Sequence, residues 1–392
     1  MKYFFTLGNN PTLSIAEITA RFPKEQHIIV SDDVFILETK EKIDANATIE
    51  TLGGTIKIGE IFNEVSSNDQ DLGKYINTVL DCEQEGKYKF GISYYGSKKL
   101  NDKRLAMDIK NYLREKGVSS RWVTSKERTL SSVVVEQNKL TSKGIEIVLI
   151  KENNKLLLGK TLAVQPFKEL SRRDYGRPAR DDRSGMLPPK LAQILINLAQ
   201  ITDESVILDP FCGSGTVLTE SILMGHKNII GSDISEKAIG DSRQNITWIQ
   251  NNYKLKNSNY RLIVVSSLRI SNKIKPSSVD AIITEPYLGP QRGEFNIKNV
   301  VTEIEELYSK SLADFYKVLK PEGVIVMIFP IFNINGKRYF TNTNLNGLKI
   351  INPIPSNLLN SEVIKLTNKN TIIYSREGQK VEREITILKK TS

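Results

Sequence analysis

Cysteine is nearly absent from this chain of 392 residues: Cys82 and Cys212 are the only two, in no metal-binding spacing. That excludes a disulfide scaffold and a thiolate cluster and points to a reducing compartment, so a cytoplasmic protein is expected. Histidine is equally scarce, and the lone His27 and His226 are expected to be structural. Long apolar runs are missing too. The longest, Val324 to Phe332, is interrupted by Pro330 and falls far short of the ~18 residues a membrane span needs. The opening Met1-Lys2-Tyr3-Phe4-Phe5-Thr6-Leu7 is too short an apolar run for a signal peptide. The length predicts two or three domains.

Basic charge is abundant, with a net +10 that is unevenly spread. Between Lys87 and Arg128 lie twelve Lys/Arg and four Asp/Glu, a local charge of +8. Tyr88, Phe90, Tyr94, Tyr95, Tyr112 and Trp122 are interleaved with these cations. Phosphates attract clustered cations and rings stack on bases, so this stretch is expected to bind nucleic acid. A solvated helical face with ordinary core aromatics is the plain alternative.

The first 165 or so residues read as α+β without a cofactor-type glycine loop. Strands are predicted at 2–7, 33–38, 87–95, 131–135, 144–150 and 155–164, helices at 14–21 and 102–116, and turns at Gly53-Gly54 and Gly59. Residues 171–189, rich in Arg, Asp and Pro, read as a linker. Pro189 then suits the first turn of a helix. Beyond it, strands at 205–209, 228–232, 261–265, 279–284 and 323–329 alternate with helices near 216–224, 236–250 and 302–319, which is the mark of a parallel sheet. The segments 371–374 and 383–388 look like two further strands, joined at Gly378. Residues 254–259 and 334–346 read as polar loops.

Two motifs at strand ends carry the chemistry. In Asp209-Pro210-Phe211-Cys212-Gly213-Ser214-Gly215-Thr216, a strand enters a glycine turn and then a helix. The chain continues Thr216-Val217, so the Gly-Lys-Ser/Thr ending of a P-loop is missing, and Leu218 occupies the third glycine of a dinucleotide fingerprint. Asp209 would repel a pyrophosphate but attract the ammonium of an amino-acid-like ligand. Backbone N–H groups near Thr216 would meet that ligand's carboxylate. Asp233, followed by Ile234, ends the next strand and can accept both hydroxyls of a ribose. Together these describe S-adenosylmethionine as cofactor and call for no metal. Cys212 is a small filler of the turn.

The second motif is Glu285-Pro286-Tyr287-Leu288. Methylating an exocyclic amine requires freeing a lone pair that is delocalised into the ring. Glu285 and the Pro286 carbonyl would accept from the amine, and Tyr287 would stack on the base. Both motifs fall where an open parallel sheet binds its ligands.

These segments resemble the THUMP-domain tRNA guanine-N2 methyltransferase family over nearly the whole chain. The resemblance covers Tyr3-Phe4-Phe5-Thr6-Leu7-Gly8-Asn9, Leu130-Ser131-Ser132-Val133, Leu158-Gly159-Lys160-Thr161, Met186-Leu187-Pro188-Pro189-Lys190-Leu191-Ala192, the Asp209 motif and Tyr374-Ser375-Arg376-Glu377-Gly378-Gln379. It implies an α/β protein with a doubly wound, Rossmann-like methyltransferase domain at 188–392. Before it would come a ferredoxin-like α+β module at 1–60, a THUMP-like RNA-binding domain at 61–165 and a linker at 166–187. The implied reaction methylates the N2 amine of a guanine in tRNA. Lys98, Lys99, Lys103, Arg104, Arg121, Lys126 and Arg128 are the candidate RNA contacts.

The chain departs from the family pattern twice. Glu-Pro-Tyr-Leu replaces the usual Asp-Pro-Pro-Tyr/Phe, and Ser266-Ser267 follow the third strand where an acid usually meets the adenine amine, leaving Ser267 as a weak substitute. A monomer is expected; the residues neither require nor exclude a small activator subunit. The competing readings are a DNA adenine or cytosine amino-methyltransferase and a non-catalytic RNA-binding protein whose acceptor motif has decayed.

Overall fold

The computed structural model describes residues 1–69, 71–83, 86–97, 100–180, 186–255, 259–290, 296–334, 336–376 and 379–391. They form two compact units, one of Met1–Pro11 with Phe22–Pro166, the other of Thr12–Arg21 with Phe167–Ser392.

In the first unit a single eight-stranded sheet takes in β1 (Lys2–Leu7), β2 (Gln26–Ile29), β3 (Val34–Glu38), β4 (Thr55–Ser66), β5 (Tyr88–Tyr95), β6 (Ser120–Val123), β7 (Gly144–Glu152) and β8 (Lys155–Val164). Their order is β2-β3-β1-β4-β8-β7-β5-β6. Gly59 lies inside β4, where a turn is predicted from sequence. A Cβ there would come within 2.2 Å of the Phe4 ring and 2.3 Å of the Lys160 carbonyl, so the glycine serves close packing inside a strand. Residues 131–135, read as a strand from their valines, instead begin a helix. The Ser131 hydroxyl accepts from the Val134 amide (3.3 Å) and caps the segment Ser132–Gln137, a local bond that overrides β-branched propensity. Buried Lys57 donates to Glu146 (2.6 Å), whose carboxylate also accepts from Ser93 (2.5 Å) and Thr161 (2.6 Å). The charges are thus fully partnered.

The helices, in chain order, are α1 (Pro11–Arg21), α2 (Ala45–Glu50), α3 (Gly73–Ile76), α4 (Asp102–Glu115), α5 (Ser132–Gln137), α6 (Phe167–Tyr175), α7 (Pro189–Leu198), α8 (Thr216–Leu223), α9 (Glu236–Tyr253) and α10 (Ile297–Val318). Thr12–Arg21 of α1 belong to the second unit. There Thr12 Oγ1 donates to the Val363 carbonyl (3.1 Å) and Asn197 donates to the buried Glu17 (2.8 Å). Part of the stretch read as linker is helical (α6), and its Arg173 is buried in a bidentate bond to Glu220 (2.8 and 3.1 Å).

The second unit's sheet is built from β9 (Val206–Asp209), β10 (Asn228–Asp233), β11 (Asn259–Val264), β12 (Val279–Thr284), β13 (Leu319–Ile334), β14 (Lys337–Phe340), β15 (Lys349–Ile351), β16 (Ile372–Tyr374) and β17 (Val381–Lys389). The path runs β11-β10-β9-β12-β13-β17-β15, with β14 pairing β13 and β16 pairing β17. β9 to β13 are parallel, and β17 is antiparallel to β13. β14 forms inside the segment predicted as a polar loop. The central strands carry near-continuous apolar runs such as Ala281-Ile282-Ile283, all buried, as expected for a sheet covered on both faces. From β9 the chain moves outward through β10 and β11, then returns to β12 on the other side of β9. That reversal opens the crevice between the ends of β9 and β12.

Candidate active site

A cavity of about 560 Å³ opens at this reversal. Its wall holds Asp209, Pro210, Phe211, Cys212, Gly213, Thr216, Asp233, Ile234, Ser267, Glu285, Pro286 and Tyr287. Of the cofactor and acceptor candidates, only Gly215 is outside the lining. It precedes α8 at φ +84°, a left-handed conformation that glycine adopts without strain.

Asp209 ends β9 almost fully buried. Its Oδ1 accepts from Thr284 Oγ1 (2.6 Å), the last residue of β12, and from the Phe211 amide (3.1 Å). Burial pushes its carboxyl up to about 7, against those two hydrogen bonds and with help from the nearby Asp233 and Glu285 charges. Asp233 receives the Gly213 amide at Oδ2 (3.1 Å) and the Ser235 amide at Oδ1 (2.9 Å), so the glycine turn and the second acid hold each other. The Ser242 hydroxyl donates to the Gly213 carbonyl (2.8 Å), and Asn245 donates to the Ser214 carbonyl (2.8 Å); α9 thereby braces the loop. Burial pushes the Cys212 thiol well up, which suits a packing role.

Ser267 is buried and shares a 3.0 Å hydrogen bond with Ser311. Ile234, also in the lining, is 73% exposed, an apolar surface with nothing packed over most of it. Tyr287 is 57% exposed at the mouth, whereas Leu288 is buried, so the available ring is the one immediately after the proline. The loop is pinned from beneath, where buried Tyr308 donates to the Tyr287 carbonyl (2.8 Å).

Glu285 is not a solitary acid. Arg383 of β17 donates from Nε to its Oε1 at 2.6 Å, with both side chains about nine-tenths buried. Sequence reasoning missed Arg383. The alternation of Arg383 to Leu388 announces a strand, but nothing local says which acid its arginine meets. Arg177 was missed as well: it is buried and donates to Thr216 Oγ1 (2.6 Å) and to Met186 Sδ (3.2 Å).

In the first unit, Lys103 and Arg104 are exposed in the first turn of α4, and Arg121, Lys126 and Arg128 are exposed on and after β6. Arg128 donates to the Gly96 carbonyl (3.1 Å). Lys98 and Lys99 lie outside the described residues. The interleaved rings divide between core and partly buried positions. Tyr88 and Phe90 are core, and Tyr94, Tyr112, Trp122 and Tyr95 pack against core clusters. Packing thus takes up Tyr88 and Phe90 fully and the other four rings in part. Trp248, read as packing, is partly buried against the core with Arg172 over its ring. His27 and His226 hydrogen-bond the carbonyls of Phe22 and Thr202. No helix among the described residues is long and apolar enough to cross a membrane.

Residues 177–333 match the RMKL-like methyltransferase domain family, and residues 55–244 match a DNA methylase family. A tRNA (guanine(10)-N2)-dimethyltransferase of Methanothermobacter thermautotrophicus is 28% identical over 259 residues, 61% of this chain and 70% of that one. A probable tRNA (guanine(10)-N2)-dimethyltransferase of Methanothermococcus thermolithotrophicus is 32% identical over 143 residues, 35% of this chain and 77% of that one. Among solved structures, TrmN from Thermus thermophilus covers the whole of both chains at a TM-score of 0.54 and 16% identity, a likeness of fold.

Proposed function

Because this chain belongs to the tRNA guanine-N2 methyltransferase family, we propose that its second unit transfers a methyl group from S-adenosylmethionine to the exocyclic N2 amine of a guanine in tRNA. One observation carries the reading. Two strand-end acids and an acid–proline–aromatic loop line a single cavity at the sheet's reversal point.

The lining suits this donor group by group. Asp209 would take the ammonium, whose charge offsets the cost of the buried carboxylate. Asp233, already fixed by two amides, would accept the ribose hydroxyls. Ile234 offers an apolar surface for the adenine, and the Ser267 hydroxyl offers one polar contact. When bound, the donor supplies an electrophilic methyl carbon on a sulfonium sulfur.

Glu285 keeps Oε1 on Arg383 and would turn Oε2 to one hydrogen of the guanine N2 amine. The Pro286 carbonyl would accept the other hydrogen, and the exposed Tyr287 ring would stack on the base. The two acceptors draw the nitrogen toward tetrahedral geometry. That lone pair would then face the methyl carbon; the chemistry the donor would supply is methyl transfer, in which the nitrogen lone pair becomes the N–C bond and the C–S bonding pair leaves with sulfur. The proton leaves the cationic nitrogen by way of Glu285 to solvent. Alignment of nitrogen, carbon and sulfur contributes most of the acceleration, at best ~7–11 kcal/mol.

We assign the first unit to tRNA binding, with a THUMP-like portion in residues 61–165 that would grip the backbone through Lys103, Arg104, Arg121, Lys126 and Arg128, beside the module at 1–60. The match to the DNA methylase family favours a second reading, methylation of a DNA amine. It ends at residue 244, however, before the acceptor loop at Glu285. Incubating the full chain with labelled donor and either unmodified tRNA transcripts or duplex DNA, then digesting to nucleosides, tests both. N2-methylated guanosine is expected; label in DNA adenine or cytosine, or in no nucleic acid, rejects the proposal.

A further inference from the structure

We infer that Arg177 supplies the positive charge by which the cavity recognises the carboxylate end of the methyl donor, an inference that rests on the donor reading above. Arg177 is buried, and its Nε has no hydrogen-bond partner. Among the described residues it makes no ion pair. Its neighbour Arg173 occupies both oxygens of the buried Glu220, so two buried guanidiniums share one buried carboxylate and one positive charge is left over. Asp174 offsets it only through the field, Arg180 opposes it, and burial itself pushes the guanidinium down. Holding a net charge out of water costs several kcal/mol, which calls for an anion close by.

The contacts of Arg177 say where that anion belongs. Its two bonded partners, Thr216 and Met186, both line the cavity. Thr216 is the first residue of α8, whose N-cap is Gly215 with no side-chain cap. The opening N–H groups of the helix, its positive dipole end and the Arg177 charge thus converge on one wall. Asp209 and Asp233, which would hold an ammonium and a ribose, line the same cavity. A carboxylate carried on the same carbon as the ammonium meets this cationic wall. Arg177 acts through Thr216 and is a positioning residue.

The test compares two ligands that differ by the carboxylate alone, S-adenosylmethionine and its decarboxylated form, by titration calorimetry on the full chain. Arg177→Met should weaken the complete donor by about fivefold or more, the size of a nearby charge acting on an anion without a direct bond, and the decarboxylated form by less than about twofold. Arg177→Lys keeps a charge without the fork geometry and should show a smaller loss of the same selectivity. It also stands in should the methionine variant not fold, as judged by thermal melting. Equal losses for both ligands, or none for either, overturn the inference while leaving the donor reading intact. Failure of the unmodified chain to bind either ligand overturns the donor reading and the inference with it.

Discussion

Arg383 and Glu285 are 98 residues apart in sequence and 2.6 Å apart in space. The contact joins the antiparallel strand β17 to the loop after β12, and it fixes one oxygen of the proposed acceptor carboxylate. Replacing Arg383 with Met should therefore lower kcat more than it raises the KM for tRNA, with Lys restoring part of the loss. An equal effect on donor affinity would mark the pair as structural support of the cavity as a whole.

Glu285→Ala or Glu285→Gln should reduce turnover by roughly 100-fold or more, the size expected when an oriented acceptor at the reacting group is removed. Donor affinity should stay within a few-fold. Single-turnover methylation beside calorimetric donor binding separates the two quantities, and a fully active alanine variant would reject the role.

Asp209 sets a pH dependence. Its folded value of about 7 lies above the 3.8 of an unfolded aspartate. The folded protein without ligand is therefore favoured below pH ~4, and this advantage is lost as pH rises through about 7. Donor binding runs the opposite way, because the ammonium needs the ionised carboxylate. Affinity should fall about tenfold per unit as pH drops below 7, and Asp209→Asn should flatten the profile while weakening binding. Calorimetry between pH 5.5 and 8 measures both.

Neutralising Lys103, Arg104, Arg121, Lys126 and Arg128 should weaken tRNA binding and lower the slope of log affinity against log salt by ~0.7–0.9 per lost phosphate contact. A salt titration that leaves the slope unchanged would move the RNA surface elsewhere on the chain.

Gly59→Ala should destabilise the first unit by about 1–3 kcal/mol or more through overpacking, since the new methyl would meet the Phe4 ring at 2.2 Å and the Lys160 carbonyl at 2.3 Å. Denaturant unfolding followed by circular dichroism measures it. An unaltered midpoint would mean that the Phe4 ring yields easily.

The two strand-end acids and the acceptor loop were legible because turn chemistry is local: the residues that shape the turn also line the cavity. The sheet of the second unit was legible for a similar reason, its strands being buried on both faces and so written as apolar runs. What escaped depends on distance or on competing local signals. Arg383 and Arg177 find their partners only after the chain folds back, across 98 and 39 residues. The valines after Ser131 spell a strand, and one serine cap turns them into a helix. Among the aromatic residues between the lysines, sequence spacing does not tell that the core claims Tyr88 and Phe90.

The grouping of Thr12–Arg21 with Phe167–Ser392 has a consequence for biogenesis. Glu17 leaves the ribosome long before Asn197, its hydrogen-bond partner, has been made. The second unit must therefore finish by collecting a helix synthesised well before the rest of it. A fragment beginning at Phe167 would lack that helix, and with it the bonds between Asn197 and Glu17 and between Thr12 and both the Val363 carbonyl and the Lys365 amide.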